Sequence, residues 1–198
     1  MNQPDTLTRL IKELAKIPGI GPRTAERMAF YMLNAPKADV TALSQAIVNA
    51  KNSVKFCSVC CNLSDTEPCG ICADSARAQG TICVVEQPND LWSIEKTGIY
   101  KGTYHVLYGH ISPLEGVGPE NLTIAKLLQR VKNGGPKEII IATNPTLEGD
   151  GTALYLKQAC HGYDVTISRI ARGVPSGSTL SYATKSTLSE AIMGRQDF

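Results

Sequence analysis

The chain has 198 residues, 42% hydrophobic and 19% charged, which is the profile of one or two small globular domains. No run approaches the roughly 18 apolar residues of a bilayer span, and Met1-Asn2-Gln3-Pro4-Asp5 lacks the basic and apolar regions of a secretory leader, so a cytoplasmic protein without a membrane anchor is expected. The net charge of +2 is uneven: residues 1–56 carry eight Lys/Arg and four Asp/Glu, and residues 57–198 carry twelve and fourteen, so the amino-terminal part is the expected place to meet phosphate.

Leu7, Leu10, Ile11 and Leu14 recur at helical spacing behind Asp5 or Thr6 as the cap. That helix should stop at Ile17-Pro18-Gly19. A second should start at Pro22, a favoured first-turn residue, and run to about Leu33. A third should follow Asp39, with Val40, Leu43, Ile47, Ala50 and Val54 on one face. The joint between the first two, Ile17-Pro18-Gly19-Ile20-Gly21-Pro22-Arg23, is a glycine turn. Gly19 and Gly21 allow a phosphate close to the backbone, and a helix start offers it free N–H groups and a favourable dipole. Arg23 and Arg27 are four residues apart, so they share one face near that start. Together these four residues predict a sequence-independent grip on a nucleic-acid backbone. A plain helical hairpin with solvated arginines is the competing reading.

Cys57 and Cys60, then Cys69 and Cys72, form two pairs with metal-ligand spacing. Four thiolates close a tetrahedral Zn²⁺ site with no open position, hence a structural ion, one per chain. The segment has too few large apolar residues for its own core, so metal binding must drive its folding. Zinc is expected to hold the helical part in a fixed relation to the rest of the chain. Cys61 could compete with Cys60 but breaks the spacing. Cys83 and Cys160 read as core thiols. Seven cysteines, an odd number with four in metal spacing, suit a reducing compartment.

Beyond the cysteines the pattern alternates. Strands are predicted at 81–86, 104–108, 138–143 and 164–168, and helices at 88–96, 121–132 and 152–160, with a Gly/Pro-rich loop at 109–119. This predicts a mainly parallel sheet covered on both faces, the α/β class. Ligand sites in such sheets lie at the carboxyl ends of the strands. Glu86 ends the first strand, and Asn144-Pro145-Thr146-Leu147-Glu148-Gly149-Asp150 comes after the third. His105, His110 and His161 are scattered. Gly116 and Gly118 lack the strand-to-helix context of a phosphate loop. Trp92 is expected in the core. Tyr104 and Tyr108 are expected on one face of a strand.

Three parts now resemble known elements. The glycine turn resembles a helix-hairpin-helix, an element of non-specific DNA binding. The α/β part resembles a Toprim domain, whose enzymes hold Mg²⁺ with a Glu after the first strand and Asp-x-Asp after the third. Here that second motif reads Asn144-Pro145-Thr146, so metal-dependent nucleotidyl chemistry is not expected. The order of parts, the loop Ile111-Ser112-Pro113-Leu114-Glu115-Gly116-Val117-Gly118-Pro119 and the stretch from Ser168 to Pro175 resemble the RecR family of bacterial recombination mediators over essentially the whole chain. The implied division is a helix-hairpin-helix region at 1–55, a four-cysteine zinc module at 56–78, a Toprim-like domain at 79–172 and a tail at 173–198.

That resemblance implies a non-enzymatic protein of DNA repair, nucleoid-associated in the cytoplasm. It would act with RecO and RecF to load RecA onto DNA coated by single-strand-binding protein. It would bind single- and double-stranded DNA and assemble as dimers or ring-shaped tetramers. It also nominates Arg23 and Arg27 for DNA contact, and Glu148 and Glu86 for the surface that meets RecO. The tail departs from the family: its usual acids are missing from Gly177-Ser178-Thr179-Leu180-Ser181-Tyr182. The competing readings are a Mg²⁺-dependent Toprim enzyme and a zinc-stabilised interaction module without DNA contact.

Overall fold

The structure, a computed structural model, describes residues 3–196; residues 1–2 of the expected first region and 197–198 of the expected tail lie outside it. Contacts divide the chain into two compact units, Met1–Val54 and Lys55–Phe198. No helix among the described residues is long and apolar enough to cross a membrane.

The first unit is three helices: α1 (Asp5–Leu14), α2 (Pro22–Asn34) and α3 (Lys37–Ser53). Pro4 caps α1, one residue before the expected cap, and Asp5 enters the first turn, where its charge complements the dipole. α3 starts behind Pro36, two residues earlier than predicted, because Asp39 serves inside the first turn rather than as a cap. α1 packs on α2, and the buried residues of the pair are Leu7, Ala25 and Ala29. No residue of α3 is buried: Leu43, Ile47 and Val48 of its apolar side all lie open, Ile47 at 63% exposure. Leu10, Ile11, Leu14, Ile20, Met28 and Met32 are half-buried beside them, so the core of this unit is thin.

The second unit opens with a two-stranded ribbon, β1 (Lys55–Phe56) against β2 (Leu63–Ser64), and one helical turn, α4 (Gly70–Ala73). Four parallel strands come next: β3 (Ala78–Val85), β4 (Gly102–Val106), β5 (Glu138–Ala142) and β6 (Thr166–Arg169), in the order β4-β3-β5-β6. The connecting helices are α5 (Pro88–Glu95), α6 (Ile124–Lys132) and α7 (Leu147–Ala159). The chain first steps from β3 outward to β4, then reverses across β3 to β5 and β6. Right-handed crossovers therefore place α5 on one face and α6 and α7 on the other.

Strand alternation matches this division. Ile82, Val84, Ile139 and Ile141 pack with Leu127 and Val131 of α6 and with Ala153 and Leu156 of α7. Cys83, Val85, Tyr104 and Val106 pack with Leu91 of α5 and with Cys61. One helix cannot cover a four-stranded face, and the cysteine module contributes to the remainder through Cys61. That residue sits at φ +62° and 1% exposure, in the sheet's core rather than at the metal ligands.

Several expectations shift. Trp92 is 42% exposed on α5, so it is not a core residue. Tyr108 leaves the strand at φ +65° and packs edge-on against Phe56, with ring centroids 5.0 Å apart. α7 begins five residues earlier than predicted, because Thr146 caps it by accepting the Gly149 N–H at 3.1 Å. The tail folds: a 3-10 turn at Leu180–Tyr182 leads to α8 (Lys185–Met193), capped by Thr184. Arg172 ties α8 back to α7, pairing with Asp150 and, at 3.1 Å, with Glu190.

Candidate functional site

Three sets of residues carry chemistry. The first is the turn between α1 and α2. Gly19 adopts φ +83°, a region that side chains with a Cβ rarely enter, and this reverses the chain in four residues. Gly21 caps α2 with no side chain, and Pro22 has no N–H to satisfy. The Ala25 N–H bonds the Gly21 carbonyl at 2.9 Å, so the N–H groups of Arg23 and Thr24 face outward from the first turn. Arg23 and Arg27 are exposed, and neither forms an ion pair among the described residues. Unpaired guanidinium groups beside open helix donors make a surface suited to phosphate oxygens.

The second set is Cys57, Cys60, Cys69 and Cys72, whose sulfurs all lie within 4.8 Å of one another. Zinc–sulfur bonds of about 2.3 Å in a tetrahedron separate the sulfurs by about 3.8 Å, so the cluster fits a Zn²⁺ ion with little movement. The backbone already points donors at the sulfurs: Cys69 N–H to Cys57 Sγ at 3.3 Å, and Asn62 N–H to Cys60 Sγ at 3.5 Å. Burial pushes the Cys57 thiol up, but the N–H groups of Cys69, Cys60 and Val59 outweigh it and bring it down to about 7. The neighbouring Cys72 sulfur and burial drive Cys60 strongly upward, and burial raises Cys69 to about 11. Four thiols this close cannot all ionise without a cation among them. The Cys60 carbonyl accepts the Val106 N–H at 2.9 Å, which fastens the module to β4.

The third set lies where the strand order reverses, between β3 and β5. Glu86 is only 4% exposed there. Its carboxylate accepts the Asn144 backbone N–H at 2.7 Å and the Asn144 Nδ2–H at 2.8 Å, and it lies 3.2 Å from His110 Nδ1. Gly149 comes so close that a Cβ would meet the Asn144 carbonyl oxygen at 2.1 Å. The neighbour of Glu86 here is thus an amide that donates to it, not a second carboxylate that could share a cation with it. Glu148 stands apart on the first turn of α7, half-buried. Glu86 faces inward and Glu148 faces a neighbouring groove, so the two acids expected on one surface have different surroundings.

Similarity to known proteins divides into the same three parts. The Toprim domain family matches residues 80–171. The RecR helix-hairpin-helix family matches 7–51, and the RecR four-cysteine zinc finger family matches 54–74. Curated relatives are similar across nearly the full length. The recombination protein RecR of Pelotomaculum thermopropionicum is 51% identical over 191 residues, 96% of each chain. That of Desulforudis audaxviator is 51% identical over 189 residues, also 96% of each. That of Heliobacterium modesticaldum is 50% identical, over 96% of this chain and 95% of the relative.

The chain belongs to the RecR family. Three residues of this RecR-family fold escape sequence reading. His110 reaches Glu86 from a loop 24 residues away, and no spacing rule connects them. Thr152 accepts the Ile111 N–H at 2.8 Å and so fixes the start of the same loop to α7. Arg172 is the third: its pairing with Asp150 holds that carboxyl down at about 2, with Arg169 assisting. An arginine beside a glycine-rich tail gave no signal of this clasp.

Proposed function

We propose that this protein is a non-catalytic DNA-binding mediator of recombinational repair. The observation that carries the reading is the α1–α2 turn, where Arg23 and Arg27 stand exposed and unpaired beside a helix start with open donors. Gly19 and Gly21 give the sugar-phosphate backbone its close approach, and the two arginines supply charge without reading sequence. Both single- and double-stranded DNA present such a backbone.

The rest of the molecule supports an adaptor. The four cysteines hold one structural Zn²⁺, which locks the module against the sheet. With Asn144 in place of an acid, Glu86 is assigned a positioning role rather than a partner contact. Glu148 is assigned to the surface that meets RecO. RecF and RecA loading on coated single strands are assigned by family membership. The open apolar side of α3 and the sparse core of its unit support self-assembly into dimers or tetrameric rings, because a second copy supplies the missing burial. Repeated copies of a weakly basic turn would raise effective contact concentration on one DNA. The expected division at 1–55, 56–78, 79–172 and 173–198 is kept as the functional one.

A combined mobility-shift and strand-scission assay with Mg²⁺ tests this reading. Retarded DNA that remains intact is the expected result. Scission that disappears in Glu86→Gln would instead establish a Toprim enzyme.

A further inference from the structure

β4 is an edge strand, so its outward polar groups need partners from outside the sheet. The Cys60 carbonyl of the cysteine module accepts the Val106 N–H at 2.9 Å, and Thr123 Oγ1 donates to the Val106 carbonyl at 2.6 Å. Arg130 of α6 donates from Nη1 to the Tyr104 carbonyl at 2.7 Å. Tyr104 and Val106 are two residues apart on one edge. The Arg130 guanidinium and the Cys60 backbone therefore attach about 7 Å apart along the strand.

Arg130 differs from the other basic residues of its helix. Lys126 and Lys132 are exposed, whereas Arg130 is half-buried. No Asp or Glu pairs with it among the described residues. Its other close partners are neutral: Thr103 Oγ1 at 3.4 Å and His105 Nδ1 at 3.5 Å. His105 is buried and gives its Nε2–H to the Thr123 carbonyl at 3.1 Å. Burial, with Arg130 beside it, holds that imidazole down at about 3, so it stays uncharged.

A guanidinium withdrawn from water costs free energy unless an anion answers it. Burial lowers Arg130, and the sulfurs of Cys72, Cys60, Cys61 and Cys57 act in the opposite direction. Three of those four are metal ligands. Four thiolates around one Zn²⁺ leave a double negative charge, which needs a cation as much as Arg130 needs an anion.

We infer that Arg130 is the counter-charge of the zinc centre, a positioning residue that acts through the cysteine sulfurs and strengthens retention of the ion. The inference rests on the four-cysteine zinc reading, and it adds a residue outside the ligand set on which metal affinity depends. Tyr104 and Thr103 fix the guanidinium, so its ordering adds little to the cost of binding. Arginine suits this place because its charge survives burial.

Full-length, zinc-loaded wild type, Arg130→Gln, Arg130→Lys and Lys132→Gln are equilibrated with a chromophoric chelator, and the zinc transferred is measured. Arg130→Gln should bind zinc about tenfold more weakly or worse. Arg130→Lys keeps the charge without the fork and should stay within about threefold of wild type. Lys132→Gln, an exposed charge removed from the same helix, should change nothing. In cobalt-substituted protein, the sulfur-to-metal charge-transfer band should move to longer wavelength in Arg130→Gln and hold its place in Arg130→Lys, because a cation beside the sulfurs retains their electrons. A role confined to capping β4 would leave the band where it is. If Arg130→Gln does not fold, Arg130→Met, which keeps the buried stem, takes its place. Equal zinc affinity in wild type and the uncharged variant overturns the inference. So does a loss in Arg130→Lys as large as in Arg130→Gln. Wild-type protein that carries no zinc would defeat the four-cysteine reading instead.

Discussion

Replacing Asn144 by Asp is the sharpest perturbation of the closed acid site. The wild-type Nδ2–H donates to Glu86 at 2.8 Å, a bond to a charged group worth about 1.5–3 kcal/mol. Asn144 is itself exposed, so about 1–2 kcal/mol is the expected share of that loss. A second carboxylate beside one that is 4% exposed adds repulsion, limited by uptake of a shared proton. The backbone N–H bond to Glu86 survives the change. A net destabilisation of about 2–3 kcal/mol at pH 7 is expected, a shift of about 1 M in the urea midpoint. The penalty should shrink at pH 5, where a shared proton restores a donor. Millimolar Mg²⁺ should also recover part of it, since two acids at this position resemble a cation site. Equilibrium urea melts at both pH values, with and without Mg²⁺, provide the measurement. A midpoint unchanged at pH 7 would refute the claim that the amide stabilises Glu86.

Gly149→Ala should destabilise by about 2 kcal/mol or more, although such a change in a helix usually helps by about 1 kcal/mol, because the new Cβ meets the Asn144 oxygen; a stabilised variant in the same melts would contradict the close approach. Metal analysis should find one zinc per chain, and stripping it should lower the melting temperature of the sheet-containing unit by about 10 °C, since Cys61 belongs to that core. An unchanged melt would separate the module from the sheet. Asp150 is held at about 2 against an ordinary 3.8, chiefly by Arg172. Its folded value is depressed, so its contribution is complete above about pH 4 and vanishes as pH falls toward 2. The stability difference between wild type and Asp150→Asn should be about 1 kcal/mol at pH 6, after discounting for exposure, and near zero at pH 2. A constant difference across that window would exclude the ion pairs.

The strands were legible because β3 and β5 are buried on both faces, and such strands read as unbroken apolar runs: Ile82 to Val85 and Ile139 to Ile141. The cysteine spacing encodes its own geometry, since two residues between ligands fit one tight turn. The start of α7 was not legible. Pro145, Gly149 and Gly151 read as loop residues, yet Gly149 is there for a tight approach and Thr146 for a cap. α8 was not legible either: it is tied to the sheet by the Arg172–Glu190 pair, a contact made 18 residues away that local periodicity does not carry. The amide lock on Glu86 joins residues 58 apart, and only the strand order brings them together. Sequence showed that acids were missing at 144 and 146; it could not show what replaced their contacts.

DNA affinity measured across salt concentration, for wild type and for Arg23→Glu combined with Arg27→Glu, bears most directly on the central claim. Wild-type affinity should fall linearly on logarithmic axes, each phosphate contact contributing about 0.7–0.9 to the slope. The double variant should lose binding at physiological salt, show a smaller slope where binding persists at low salt, and retain its full zinc content. An unchanged affinity and slope in the double variant would place the DNA contact elsewhere in the molecule.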